Sequence, residues 1–397
     1  MTTQRSHSGA VWLLGLTQIV GYGTLYYSFA TLSADMAADF GVTADWIFGA
    51  FSVALLTASL AAPTAGRLAD RYGAASLMAG GSALTALFVA LTAIAPEKYT
   101  FAAVLVATQV TASTVFYSAA FVALVQSGTP RPALAITHLT LIAGFASTIF
   151  WPLTGFMHTH LDWRTIYLLF AAANLLVCAP AHVFLARGQR ASGPTRTEDV
   201  SASPPALFPQ GAQRRAAFVF MLLGFALLSL ALYGVLGVMV PTLDALGLGA
   251  SSLWIAGLFG PAQVAIRLLS LLFGSRMRQA NLAVVSCMLT AGGLAALAIA
   301  PTPAGAVAFI LLFGMGSGLH SIVSGTLPLE LFGRAGYGAV LGWATAARQV
   351  MSSGAPFAFA LALSRFSPQI ALWSVFVAAM GSAVAFGAVA LMRPQLR

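Results

Sequence analysis

Residues Trp46–Met78 read WIFGAFSVALLTASLAAPTAGRLADRYGAASLM: an apolar run, the charged turn Gly66-Arg67-Leu68-Ala69-Asp70-Arg71-Tyr72-Gly73, then apolar residues again. Moved along by 208 positions, the pattern returns at Trp254–Ser286 as WIAGLFGPAQVAIRLLSLLFGSRMRQANLAVVS. Trp46, Ile47, Gly49, Phe51, Ala54, Leu60 and Gly66 recur there as Trp254, Ile255, Gly257, Phe259, Ala262, Leu268 and Gly274, with no gap. A repeat at half the chain length means that one unit has been duplicated. In a chain this apolar, the duplicated unit is a bundle of membrane helices.

Composition excludes most other classes. Of 397 residues, 59% are hydrophobic and 7% charged, against about 25% charged in soluble domains. The mean hydropathy is +0.88. The net charge of +9 and pI near 10.2 would suit nucleic acid, but nearly all the arginines sit in short loops between apolar runs. No nucleic-acid partner is therefore expected. Cys178 and Cys287 both lie in apolar runs, which argues against a disulfide framework or a metal site. The N-terminal MTTQRSHSGA is short and polar, and the apolar run after it is longer than a signal-peptide core. It is read as an uncleaved first helix.

The apolar runs predict an all-α integral membrane protein of twelve spans, near 10–33, 46–66, 75–95, 100–126, 134–157, 164–186, 216–242, 252–274, 282–300, 304–330, 339–363 and 370–392. They form two six-helix halves, 1–186 and 216–397. The segment between them, 187–215, is rich in Ser, Pro, Gln and Arg without apolar periodicity, and reads as a flexible cytoplasmic linker. With the N-terminus inside, fourteen arginines face the cytoplasm: Arg5, Arg67, Arg71, Arg131, Arg187, Arg190, Arg196, Arg214, Arg215, Arg276, Arg278, Arg334, Arg393 and Arg397. Only Lys98, Arg164 and Arg365 face the other side, so both termini are expected to be cytoplasmic.

Twelve spans in two halves, a long central loop, and Gly66-x-Leu68-Ala69-Asp70-Arg71-x-Gly73 between spans 2 and 3 resemble the major facilitator superfamily over essentially the whole chain. The resemblance implies a carrier that rocks between two openings. It assigns Gly66, Asp70, Arg71 and Gly73 to a latch, with the Asp and Arg pairing with neighbouring helix ends on the cytoplasmic side. The chain departs from the family pattern at Ala74-Ala75, where a basic pair is usual, and in the second copy, where Arg278 stands in the acid's place. Without the repeat, the same turn would read as an ordinary basic loop.

An ionisable side chain inside a span is costly and marks function by default. Arg267 lies seven residues before Gly274, about 10 Å from the cytoplasmic end of span 8, and Arg348 ten residues after Gly338, about 15 Å into span 11. No acid shares their depth. A guanidinium carries a planar fork of donors suited to a carboxylate or phosphate, and bidentate pairing offsets its desolvation. The expected cargo is a small organic anion. The structural alternative for each arginine is snorkelling, or bonding helix carbonyls to brace the bundle. Gln263, a turn before Arg267, and Trp343, about a turn before Arg348, are candidates to complete the site, with His320 on span 10 and Tyr26 and Tyr117 from the first half. Each has a structural alternative too, since Tyr and Trp are common in membrane cores and interfaces.

The tyrosine-rich first span followed by Phe40-Gly41-Val42-Thr43 resembles the monocarboxylate and oxalate/formate exchanger branches. That resemblance implies a cation in span 8 and, for the exchangers, another in span 11. Arg267 and Arg348 match in kind, but each stands about a turn towards the outer face of the family positions, which fall at Ser270 and near Ala344. The helix 1 lysine and helix 8 acid of the proton-coupled members are absent. Proton coupling would fall to His138, His320 or Asp35, whereas exchange or facilitated flux needs no titrating group. A buried neutral histidine bonded to backbone is the commoner arrangement.

No zinc spacing, phosphate-binding loop or nucleophile triad is present, so neither catalysis nor a cofactor is expected. The alternative function is a proton-coupled multidrug or metabolite efflux antiporter, although span 4 lacks the charge those exporters carry. A membrane receptor or scaffold on the same fold would need neither the latch nor the arginines. The Ala- and Arg-rich composition places the chain, by association, as a monomer in the bilayer of a bacterial inner membrane. Pro152, Pro241, Pro261 and Pro356 are expected to kink their helices, and Gly21-x-Gly23 and Gly314-x-Gly316-x-Gly318 to admit close helix approach.

Overall fold

The computed structural model describes residues 2–191, 206–208, 210–273 and 277–392. Gly274 and Arg276 of the second repeat, Arg196, Arg393 and Arg397 of the charge pattern, and much of the linker lie outside them. Among the described residues the chain forms twelve helical runs. In the first half, α1 joins Thr2–Tyr22, a π-helix Gly23–Tyr27 and Ser28–Asp39; α2 is Ala44–Tyr72 and α3 Ala74–Ala93. α4 joins Lys98–Ala112 to Tyr117–Gln126, and α5 joins Pro132–Ala143 to Ala146–His158. α6 joins Trp163–Ala173, a second π-helix Asn174–Cys178 and Ala179–Ala191. In the second half, α7 joins Gly211–Gly237 to Met239–Ala245 and α8 joins Gly249–Gly257 to Phe259–Phe273. α9 is Gln279–Ile299, α10 Pro303–Phe332, α11 Tyr337–Arg365 and α12 Pro368–Leu391.

Ten of these runs are long and apolar enough to cross a membrane. The other two are α1 and α11, which carry the tyrosines and Gln18, and Arg348 and Gln349. Their polar content is what lowers their hydropathy.

Helix starts follow local chemistry. Thr43, Asp162, Thr302 and Ser367 each accept a backbone N–H three residues on, and Pro303 and Pro368 stand in the first turn, where a missing N–H costs nothing. Asp162 lies outside the spans, and its hydrogen bonds from Thr165 hold its carboxyl below the usual carboxylate range. α7 and α8 break at Val238 and Leu258, each three residues before a proline (Pro241 and Pro261) whose ring crowds the preceding turn. Pro152 and Pro356 stay inside continuous helix.

By internal packing the chain divides into Met1–Pro204 with Arg334–Ala346, and Pro205–Gly333 with Ala347–Arg397. The two units share one internal plan. In the first, α3 packs on α4 and α6, and α2 packs on α4; in the second, α9 packs on α10 and α12, and α8 packs on α10. One polar contact is repeated as well. The Gln126 side chain at the end of α4 accepts from the first N–H of α3, Ala74, at 2.7 Å. Glu330, near the end of α10, accepts from the first N–H of α9, Gln279, at 2.6 Å. The duplication seen in the apolar pattern therefore extends to helix capping.

The linker is shorter than its composition predicts. α6 continues to Ala191 and α7 starts at Gly211. Between them, Leu207 and Phe208 donate backbone N–H groups to the Glu330 and Leu331 carbonyls, and Phe208 is fully buried. The last carbonyls of a helix lack intrahelical partners, so an extended backbone can pair with them.

Candidate functional site

In the second unit, polar side chains gather where α8 meets α10. The helices approach closely because α10 presents Gly314 and Gly318. A Cβ on Gly314 would stand 3.0 Å from the Phe259 carbonyl oxygen, and one on Gly318 2.9 Å from that of Gln263. This approach brings the Gln263 amide to Ser317, which accepts from it at 2.9 Å. Gln263 also accepts from the Arg267 guanidinium at 3.4 Å. Arg267 is only 5% exposed.

One turn beyond Ser317 on the same face of α10 is His320, equally buried, with its ring edge-on to Phe225 of α7 at 5.8 Å. Arg348 of α11, half-buried, is close enough for its charge to act on His320. Gln263 and Arg267 of α8, Ser317 and His320 of α10, and Arg348 of α11 thus form a polar group within the second unit. It includes two guanidinium groups, Arg267 buried and Arg348 half-buried. The two acids of this unit stand at helix ends, Glu330 near the end of α10 and Asp244 near that of α7.

In the first unit, aromatic rings collect around the irregular stretches of α1 and α4. Tyr22 stacks on Phe116 at 4.4 Å and meets Tyr117 at 4.8 Å; Tyr26 meets Tyr27 at 5.5 Å, and Tyr27 meets Trp151 at 5.8 Å. Tyr26 and Tyr117 therefore belong to one cluster, joined through Tyr22 and Tyr27. The π-helix begins at Gly23, the position where any Cβ would overlap the Phe150 ring. A π-turn inserts a residue into the helix and re-aims the side chains beyond it. Trp343 packs with this unit and is 49% exposed, so it does not fall in the same unit as Arg348.

Irregular backbone leaves carbonyls without helical partners. Here α1 and α4 serve each other. Gln109 of α4 donates to the Leu25 carbonyl in the α1 π-turn at 2.9 Å, and Gln18 of α1 donates to the Val115 carbonyl in the α4 break at 2.7 Å. The two π-turns meet as well, because Asn174 of α6 donates to the Thr24 hydroxyl at 2.9 Å. His182 of α6 hydrogen-bonds Ser82 of α3 at 2.8 Å and Thr17 of α1 at 3.0 Å. The sequence reading passed over Gln18, Asn174 and His182. A polar side chain in the middle of an apolar span was the available signal.

The charged turn after α2 is organised around Asp70. Its two carboxylate oxygens accept from the Gly338 and Ala339 N–H groups, each at 2.8 Å, and so cap the first turn of α11. Gly66, a turn earlier, lies against the Gly338 carbonyl, where a Cβ would overlap it. Gly73 closes α2 with φ +86°. Gln126 spans that turn, donating to the Ala69 carbonyl and accepting from Ala74. Arg71 is exposed, with its guanidinium 5.2 Å from the ring of its neighbour Tyr72.

The three candidates for proton coupling stand on three different helices. His138 is exposed on α5, and His320 belongs to the cluster of the second unit. Asp35, near the end of α1, is hydrogen-bonded to His158 at the end of α5, a partner the sequence did not indicate. Nearby, Asp39 accepts from the Trp163 indole at 3.0 Å and from Arg164 at 2.8 Å; Arg164 also donates to the Ala93 and Ala95 carbonyls at the end of α3.

Residues 14–356 match the family model described as Major Facilitator Superfamily. Among solved structures, the chain is similar to the proton:xylose symporter XylE bound to 6-bromo-6-deoxy-D-glucose, with a TM-score of 0.70, 11% identity and 95% of each chain covered. It is also similar to the human organic anion transporter MFSD10 (TETRAN), with a TM-score of 0.69, 14% identity, and 97% of this chain and 100% of that one covered. No curated protein sequence matches.

Proposed function

Because the chain belongs to the Major Facilitator Superfamily, and so is a multi-pass secondary membrane transporter working by alternating access, we propose that its cargo is a small organic anion bound by Arg267 and Arg348. The observation that carries this reading is the buried Arg267–Gln263–Ser317 contact with Arg348 and His320 on the adjoining helices. A guanidinium presents a planar fork of donors that suits a carboxylate, and bidentate pairing offsets the desolvation of both. That MFSD10 is an organic anion transporter agrees in kind, but at 14% identity the weight rests on the arginines. A carboxylate of the monocarboxylate or oxalate/formate type fits the donor forks.

In the same reading Asp70 is the latch, engaged on the first turn of α11 in one state and released in the other. The arginine-rich loops then face the cytoplasm of a bacterial cell, with both termini inside. The Asp35–His158 contact favours a second reading, a proton-coupled antiporter, because a carboxylate hydrogen-bonded to an imidazole can hold a proton between them.

Uptake of a panel of labelled carboxylates, neutral solutes and organic cations into proteoliposomes, with and without a proton gradient, tests both readings. Carboxylates are expected to be taken up by the wild type and to lose at least about tenfold in Arg267→Gln and in Arg348→Gln. Undiminished carboxylate uptake in both variants overturns the anion site. Uptake confined to cations or neutral solutes, driven by the gradient, replaces it with the antiporter.

A further inference from the structure

His320 is a problem in its own right. It is 5% exposed, yet neither of its ring nitrogens has a hydrogen-bond partner. Buried polar groups are nearly always satisfied, and an orphaned one calls for a ligand or a functional reason. Its neighbours do not remedy this. The Phe225 ring meets it edge-on, and Arg348 brings only donors. Along the same side of α10, Ser321 and Ser324 have spent their protons, donating to the Gly318 carbonyl at 2.7 Å and the Ser321 carbonyl at 2.8 Å. What those hydroxyls have left is lone pairs.

We infer that His320 recognises a hydroxyl group on the transported anion, so that the cargo is a hydroxy-carboxylate rather than a plain one. The inference rests on the anion site proposed above and adds a second point of recognition to it. A neutral imidazole offers one N–H and one lone pair, and a hydroxyl is the small group that can satisfy either. The serine lone pairs also call for a donor from the ligand. A primary ammonium would supply donors too, but it would lie beside the two guanidinium groups and be repelled. A carboxylate pairing with the arginines together with a hydroxyl at His320 uses every class of group this face presents. A deoxy analogue would leave the imidazole as it stands now, buried and unmatched, and sites built to bond a hydroxyl discriminate strongly against its loss.

The test is equilibrium binding to the purified full-length protein of carboxylates of two to eight carbons, in matched sets that differ only in bearing hydrogen, hydroxyl or ammonium beside the carboxylate or one or two carbons along. The hydroxy member of at least one set is expected to bind at least about tenfold more tightly than both partners. His320→Leu should erase that preference, bringing hydroxy and deoxy acids to within about threefold of each other. His320→Asn, which keeps a donor and an acceptor, should retain part of it. Thermal melting of both variants identifies any failure to fold, and if neither folds the wild-type preference alone decides. Equal binding of hydroxy and deoxy acids that still depends on Arg267 overturns the inference and leaves the anion site standing, as does preference for the ammonium series. A preference undisturbed in folded His320→Leu also overturns it. No carboxylate binding at all removes both.

Discussion

Asp70 shows how a single residue acts across a long stretch of chain: both of its carboxylate oxygens are taken up by the first N–H groups of a helix some 270 positions further on. Helix N-termini carry unsatisfied donors and a positive dipole end, so one carboxylate satisfies two groups and complements the field. In Asp70→Asn the charge is lost and only one oxygen remains to accept. The melting temperature in nanodiscs is expected to fall by about 2 °C, corresponding to a loss of about 1 kcal/mol. An unchanged melting curve would mean that the contact contributes nothing to the resting state. The turn containing Asp70 was legible from spacing alone, since Gly-x-x-x-Asp-Arg-x-Gly between apolar runs states both the charge and the tight turn. Its partner was not legible, because a backbone N–H has no letter in the sequence. The same holds for His158, which nothing but three-dimensional proximity connects to Asp35.

Within helices, the apolar runs predicted one helix each, close to the observed ends for most and falling short of them in α1 and α2, because burial in lipid imposes a length and a composition that few other contexts do. They did not predict where the spans break. Proline accounts for the breaks at Val238 and Leu258. The π-turns of α1 and α6 and the interruption of α4 depend on side chains of other helices that collect the released carbonyls. Among these braces, the Gln109 amide pairs with the Leu25 carbonyl in the α1 π-turn. Gln109→Leu is therefore expected to destabilise the fold by about 1–3 kcal/mol, the cost of a buried carbonyl left alone. It should also raise amide hydrogen exchange at residues 24–28 ahead of the rest of α1. Exchange rates there equal to wild type would show that the π-turn holds without its brace.

For the molecule as a whole, the duplication carried most of the reading. Two copies of one apolar pattern predicted two units of like plan, and the packing of α2 on α4 and α8 on α10 repeats accordingly. Function is less evenly shared. The first unit contributes aromatic rings and a braced backbone, while Arg267 and Arg348 both belong to the second. That asymmetry was visible as two arginines in otherwise apolar spans; the glycines that draw α8 onto α10 and place Gln263 on Ser317 needed the fold. The measurement closest to the central claim is a double-mutant cycle on carboxylate affinity, with Arg267→Gln and Arg348→Gln singly and together, by calorimetry. If both guanidinium groups hold one anion, each single change should weaken binding by about 1.5–3 kcal/mol, and the double change should cost clearly less than their sum. Affinity unaltered by either substitution, or small losses that simply add, would contradict the account.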